Sequence, residues 1–148
     1  MKRFVFPLER VRQWRQTQVD LELAKLQTLF QQLARSQEGA AQLARAVQTA
    51  ERALEAEAGA GKVLQPMALT ALDDYRLYAK REQAVLARQQ RELGRQIAAQ
   101  RNRLIDARRD FRLLEKLRER SHAAWEREND RETEALAGEL FLAKWKPR

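Results

Sequence analysis

Cysteine is absent from this 148-residue chain, so no disulfide and no thiolate metal site can hold it together. A reducing compartment is allowed by that absence. The chain has one histidine, His122. A zinc site would then need carboxylates for every other ligand, so His122 reads as a surface residue of a helix. No run approaches the roughly eighteen apolar residues that a membrane span needs. The basic start at Lys2 and Arg3 is followed by an apolar stretch too short for a secretory leader and cut by Glu9 and Arg10. A cytoplasmic protein is the expectation. Proline occurs three times and glycine five times, so punctuation is sparse.

What is present is charge and helix formers. Charged residues make up 34% of the chain, and Ala, Leu, Arg, Gln and Glu dominate. That is the composition of a coiled coil. A heptad ladder is written twice. In the first arm one column reads Val19, Leu26, Leu33, Ala40, Val47, Leu54, and a second, four residues ahead, reads Leu23, Phe30, Gln37, Ala44, Glu51, Ala58. In the second arm one column runs Leu72, Ala79, Leu86, Leu93, Gln100, Ala107, Leu114, Ser121. Its partner column runs Leu69, Arg76, Gln83, Gln90, Ile97, Leu104, Phe111, Arg118, Trp125. Apolar residues at alternating steps of three and four form the narrow seam that two supercoiled helices bury. The expected fold is all-α: a long two-helix antiparallel coiled-coil hairpin with a C-terminal helical overhang, one domain over residues 1–148.

The punctuation sets the boundaries. Pro7 suits a first helical turn, where its missing N–H costs nothing. Helix one is expected over about 7–58, with Gly59 as a left-handed C-cap. The turn takes 59–66, and helix two runs over about 67–143, opened by Pro66 and uninterrupted until Pro147. Gly94 and Gly138 lie inside it as weak points rather than stops. Antiparallel pairing about this turn brings Leu8 near Leu117 and Trp14 near Phe111. Residues after about 118 then have no partner in their own chain. This overhang holds Trp125 and the apolar patch Leu136, Leu140, Phe141, Leu142, and the last residues from Lys144 read as a mobile tail. Polar steps at Arg76, Gln83, Gln90, Gln100, Gln37 and Glu51 loosen the seam while fixing its register.

A seam without a thick core offers little room for chemistry. Gly59-Ala60-Gly61-Lys62-Val63 fails as a phosphate loop, because Ala56 stands where the first glycine belongs and Val63 where Ser or Thr belongs. Glu126, Asp130 and Glu134 share a helix face at steps of four and read as a solvated face. No nucleophile, cofactor site or metal site is expected, and the chain is not expected to be an enzyme.

The formal net charge is +8, unevenly spread. Residues 76–118 hold thirteen Lys or Arg against five Asp or Glu, and residues 119–134 hold three against six. The basic half could meet an acidic protein, nucleic acid or a membrane surface, or could be a solvated face. Trp14, Phe30 and Phe111 fit core layers. Tyr75 and Tyr78, flanking the seam just after the turn, could anchor a partner or cover the Ala-rich end of the hairpin.

The opening Phe4-Val5-Phe6-Pro7-Leu8-Glu9-Arg10-Val11-Arg12, followed by Trp14-Arg15, resembles the start of the flagellar export protein J (FliJ) family. Tyr75 and Tyr78, the run Leu114 to Arg120 and Trp125-Glu126-Arg127-Glu128 resemble that family's second helix. Nearly the whole chain is covered, while Glu134-Ala135-Leu136 and Gly138-Glu139 depart from the family's late acidic segment. The resemblance implies a non-catalytic, stalk-like component of the flagellar type III export apparatus, cytoplasmic and peripheral to the inner membrane through its partners. It implies that the end carrying both termini enters the hexameric export ATPase ring. It also implies contact with the cytoplasmic domain of the export gate and with export chaperones. The candidate ring-facing residues are Arg10, Arg12, Arg15, Arg108, Arg109, Arg112 and Arg118. The candidate gate-facing residues are Tyr75 and Tyr78, with Glu82 standing where the family suggests an apolar side chain. No nucleic acid partner is expected. The alternatives are a basic coiled coil that binds nucleic acid through residues 76–118, and a structural rod that dimerises through its overhang.

Overall fold

The computed structural model describes residues 2–145. Two long helices pack against each other as a two-helix hairpin, with no strand among the described residues. Helix α1 spans Glu9–Gly59 and helix α2 spans Pro66–Lys144. The prolines sit as their chemistry requires. Pro66 is the first residue of α2. Pro7 lies in the turn just before α1, where the Glu9 N–H donates to the Phe6 carbonyl at 3.2 Å. The tail expected from Lys144 falls partly outside the described residues. Lys144 ends α2, and the Trp145 N–H still donates to the Phe141 carbonyl at 3.0 Å.

The end of α1 differs from the expected cap in one detail. Gly59 is still helical, and the left-handed residue is Gly61, at φ 75°. The Gly61 N–H donates to the Ala58 carbonyl at 3.2 Å and the Lys62 N–H to the Glu57 carbonyl at 3.2 Å. This nested pair is a Schellman motif, which satisfies carbonyls that the helix end would leave unpaired. It needs a residue without a Cβ at the left-handed position, and Gly61 supplies one.

Two compact units make up the chain: Met1–Glu22 with Arg103–Arg148, and Leu23–Asn102. The second, the turn unit, has a thin seam. Leu26, Ala79 and Ile97 are its buried apolar residues, and Ser36 and Gln100 are buried with them. Leu29, Leu33, Ala40, Leu43, Val47 and Leu54 from α1 are half-buried, as are Ala68, Leu72, Tyr75, Glu82, Leu86, Gln90 and Leu93 from α2. The first columns of the sequence ladder are therefore seam positions here. The second column of the first arm lies one residue earlier than expected. Leu29, Ser36 and Leu43 face the seam, while Phe30, Gln37 and Ala44 are exposed. Near the turn the partner column of α2 shifts the same way, to Ala68, Tyr75 and Glu82, leaving Leu69, Arg76 and Gln83 exposed. A straight helix has 3.6 residues per turn and drifts against a seven-residue repeat, so a column can change places within a few heptads. Phe30 is not lost to water. The Arg101 guanidinium lies over its ring at 5.4 Å.

The terminal unit holds Phe6 and Leu104 as its buried apolar residues. Ala107, Phe111, Leu114, Ser121, His122, Trp125 and Asn129 of α2 are half-buried. Leu114 and Phe111 thus sit in the seam, but Trp14 is 53% exposed and stacks under the Arg15 guanidinium at 4.8 Å. Residues 2–6, before the turn into α1, form no helix, and burial alternates over 4–6 as it does along an extended backbone, whose successive side chains point to opposite sides. Phe6 is buried, Val5 is 75% exposed, and Phe4 packs on α2. Phe4 meets the His122 ring edge-on at 4.8 Å and the Trp125 ring at 5.9 Å. His122 is therefore half-covered by an aromatic cluster rather than a free surface residue. The overhang also begins later than expected. The N-terminal segment covers α2 to about Asn129, and every described residue from Asp130 onward is exposed.

Candidate partner-binding surfaces

The seven arginines expected to face a ring all belong to the terminal unit, but they divide into two groups. Three are tied to carboxylates, Arg12 within α1 and Arg15 and Arg118 between the helices. Glu9, in the first turn of α1, accepts from Arg12 Nε at 3.2 and 3.1 Å and from Arg12 Nη2 at 2.7 Å. Arg118 of α2 approaches the same carboxylate at 3.6 Å. The adjacent guanidinium of Arg12 holds the Glu9 carboxyl below its ordinary pKa. Arg15 donates to Asp110 at 3.1 Å. Arg12, in addition, lies over the Phe111 ring at 6.0 Å. Through the Phe111 ring, Asp110 and Glu9 respectively, Arg12, Arg15 and Arg118 join α1 to α2.

The other four project outward. Arg109 has only a long contact of 3.8 Å with Asp106. Arg10, Arg108 and Arg112 are exposed and make no ion pair among the described residues. Arg10 lies on the side of α1 away from its seam, and Arg108 and Arg112 on the side of α2 away from its seam. They therefore form two outer basic faces rather than one patch. Around Arg108 and Arg112 the surface of α2 is a shallow depression lined also by Ile105, Arg109, Leu113 and Lys116. Ile105 and Leu113 are both more than half exposed.

Tyr75 and Tyr78 belong to the turn unit. Their rings stack with centroids 6.3 Å apart and planes 26° apart. Tyr75 occupies a seam position and is half-buried, whereas Tyr78 is 54% exposed. Tyr75 thus covers the seam and props Tyr78 outward. Glu82, one turn further along, is half-buried on the seam side.

The cluster that sequence reasoning missed is the strap formed by Phe4 and Phe6 on α2. The signal was available, because two phenylalanines at spacing two ahead of a proline and a helix mark an extended segment with one apolar face. Among the described residues no group of three or more His, Asp or Glu is arranged to hold a metal ion, and no helix is long and apolar enough to cross a membrane. No family model, no curated protein and no solved structure matches the chain.

Proposed function

We propose that the protein is a non-catalytic, stalk-like component of the flagellar type III protein export apparatus. In this reading its terminal unit enters the hexameric export ATPase ring and promotes the ring's assembly or activity. The exposed Tyr78, propped by Tyr75, meets the cytoplasmic domain of the export gate, and export chaperones bind in turn. The protein works in the cytoplasm and reaches the inner membrane at the flagellar base only through these partners.

One observation carries the reading. The stretch Phe4 to Arg10, on which the resemblance chiefly rests, is docked onto α2 and completes an end whose outer faces keep Arg10, Arg108 and Arg112 without internal counter-ions. Such cations attract an acidic lumen over distance without locking to one shape, which suits a shaft that turns within a ring.

The test is a mixing experiment with the matching ATPase. Micromolar protein should raise hexamer formation and ATP turnover, and Arg108→Glu with Arg112→Glu should abolish both effects. No stimulation by the unaltered protein would overturn the proposal. A nucleic-acid coiled coil would instead shift DNA in a gel at low salt and release it steeply as salt rises.

A further inference from the structure

The outer side of α2 carries a charge pattern that the proposed ring contact does not require. Arg108, Arg112, Lys116 and Arg120 stand four residues apart, one above another on one helix face. Past Ala123 the same face continues with Glu126, Asp130 and Glu134, again four apart. All seven are exposed. Glu126 approaches His122 at 3.5 Å. The other six make no ion pair among the described residues. Each column places like charges at i,i+4, which destabilises a helix standing alone.

Apart from Arg108, whose counterpart is Gly138, the two columns are mirror images about Ala123. Arg120 and Glu126 lie three residues to either side of it, Lys116 and Asp130 seven, and Arg112 and Glu134 eleven. Glu119 and Arg127, four to either side, are complementary as well, in the opposite sense. Further out, Ile105 and Phe141 lie eighteen residues to either side, 54% and 70% exposed. At 3.6 residues per turn all of these positions lie within about 60° of the direction of Ala123, so they form one stripe along α2. The small side chain of Ala123 at the centre lets two helices approach closely. The face also points away from Leu104, Ala107, Phe111 and Leu114, so its use would leave the packing of α1 on α2 untouched.

We infer that α2 pairs antiparallel with α2 of a second copy of this chain, across a two-fold axis at Ala123. A two-fold interface repeats every contact. Each of the four complementary charge pairs therefore occurs twice, and each exposed Ile105 meets the other copy's Phe141. The cation column that repels itself in one copy faces the anion column of the next. Arg112 is covered in the pair, so the paired and ring-bound forms exclude each other.

Sedimentation at about 50 mM salt, where screening is weak, should show a species of twice the 17.3 kDa chain mass that dissociates near 0.5 M salt. Glu134→Arg should weaken pairing at least about tenfold, as should Arg112→Glu, and the two combined in one chain should restore it. Circular dichroism verifies that each variant stays helical. In this cysteine-free chain, Ala123→Cys should crosslink efficiently with a short bismaleimide, and Ala135→Cys, off the stripe, should not. A monomer at about 100 μM in low salt, no recovery in the combined variant, or equal crosslinking at the two positions would each overturn the inference. Glu134→Arg keeps Arg108 and Arg112, so ATPase stimulation by that variant tests the ring proposal independently.

Discussion

The two units use the same pair of helices and hold them together by different means. The turn unit relies on small apolar layers. Its buried residues are Leu26, Ala79 and Ile97, interrupted by Ser36 and Gln100. Its ion pair between the helices, Arg76 to Glu51 at 2.9 Å, is about as exposed as Arg118 to Glu9 in the terminal unit, and a single pair so exposed contributes little. The terminal unit adds a third element, the extended strap, and joins the helices through Glu9, Arg12, Arg15, Asp110 and Arg118. A seam of aliphatic layers is uniform and can extend indefinitely. An end that is strapped and charge-paired has a defined place to stop. The difference is between a seam that repeats one kind of layer and an end closed by a third element.

The largest expected effect breaks the turn unit. Ile97 is 5% exposed in a seam with few other large buried side chains. Ile97→Ala should cost about 3 kcal/mol, since a two-helix layer cannot close over the space left behind. Urea unfolding followed by circular dichroism checks this. The matching cut in the terminal unit is Phe6→Ala, at a residue 8% exposed. The strap can detach without unfolding the helices, so the loss should be local. Amide exchange should speed up around Phe4 to Arg12 and His122 to Asn129 and remain unchanged near Ile97. Global destabilisation by Phe6→Ala as large as that by Ile97→Ala would erase the distinction between the units.

Individual residues show how much of this contrast is legible in the sequence. The column Val19 to Leu54 and its counterpart Leu72 to Ser121 are legible, because apolar or small side chains repeating every seven residues are what a buried helical seam requires. The second columns are less so. Phe30 suggests the wrong register, because an exposed aromatic can be covered by a neighbouring arginine, as Arg101 covers it here. Trp14 misleads in the same way beneath Arg15. For the candidate site, composition identifies the cations but not their partners. Whether an arginine is free depends on which carboxylate faces it across the seam, and that follows from register. Helix pairing alone starts the overhang at residue 118. The strap, a third element, extends that coverage to about Asn129.

A smaller effect sharpens the turn unit's account. The Ser36 hydroxyl is buried and has no hydrogen-bond partner among the described residues. A buried polar group in that state costs about 1–3 kcal/mol, and alanine is the better helix former. Ser36→Ala should therefore stabilise the chain by about 1 kcal/mol in the same urea measurement, provided the seam closes over the lost oxygen. A destabilised variant would mean that the hydroxyl's volume matters more than its polarity.

The smallest effect concerns the terminal unit and is read through pH. Glu9 has its pKa lowered, first by the hydrogen bond from Arg12 and further by the charges of Arg12 and Arg118. A carboxyl whose folded pKa is depressed contributes stability that is fully present above its unfolded value, about 4.5, and is lost as pH falls through the lower folded value. The arginines stay protonated throughout this range and add no slope of their own. Thermal unfolding of the unaltered chain and of Glu9→Gln should thus differ most above about pH 5 and converge as the pH drops below about 4. Because the carboxylate is near solvent and one of its partners is 3.6 Å away, the gap should be modest and should shrink in high salt. A gap that stayed constant down to about pH 3 would show that the Glu9 contacts act through shape rather than charge, and that the two units are held by the same kind of force after all.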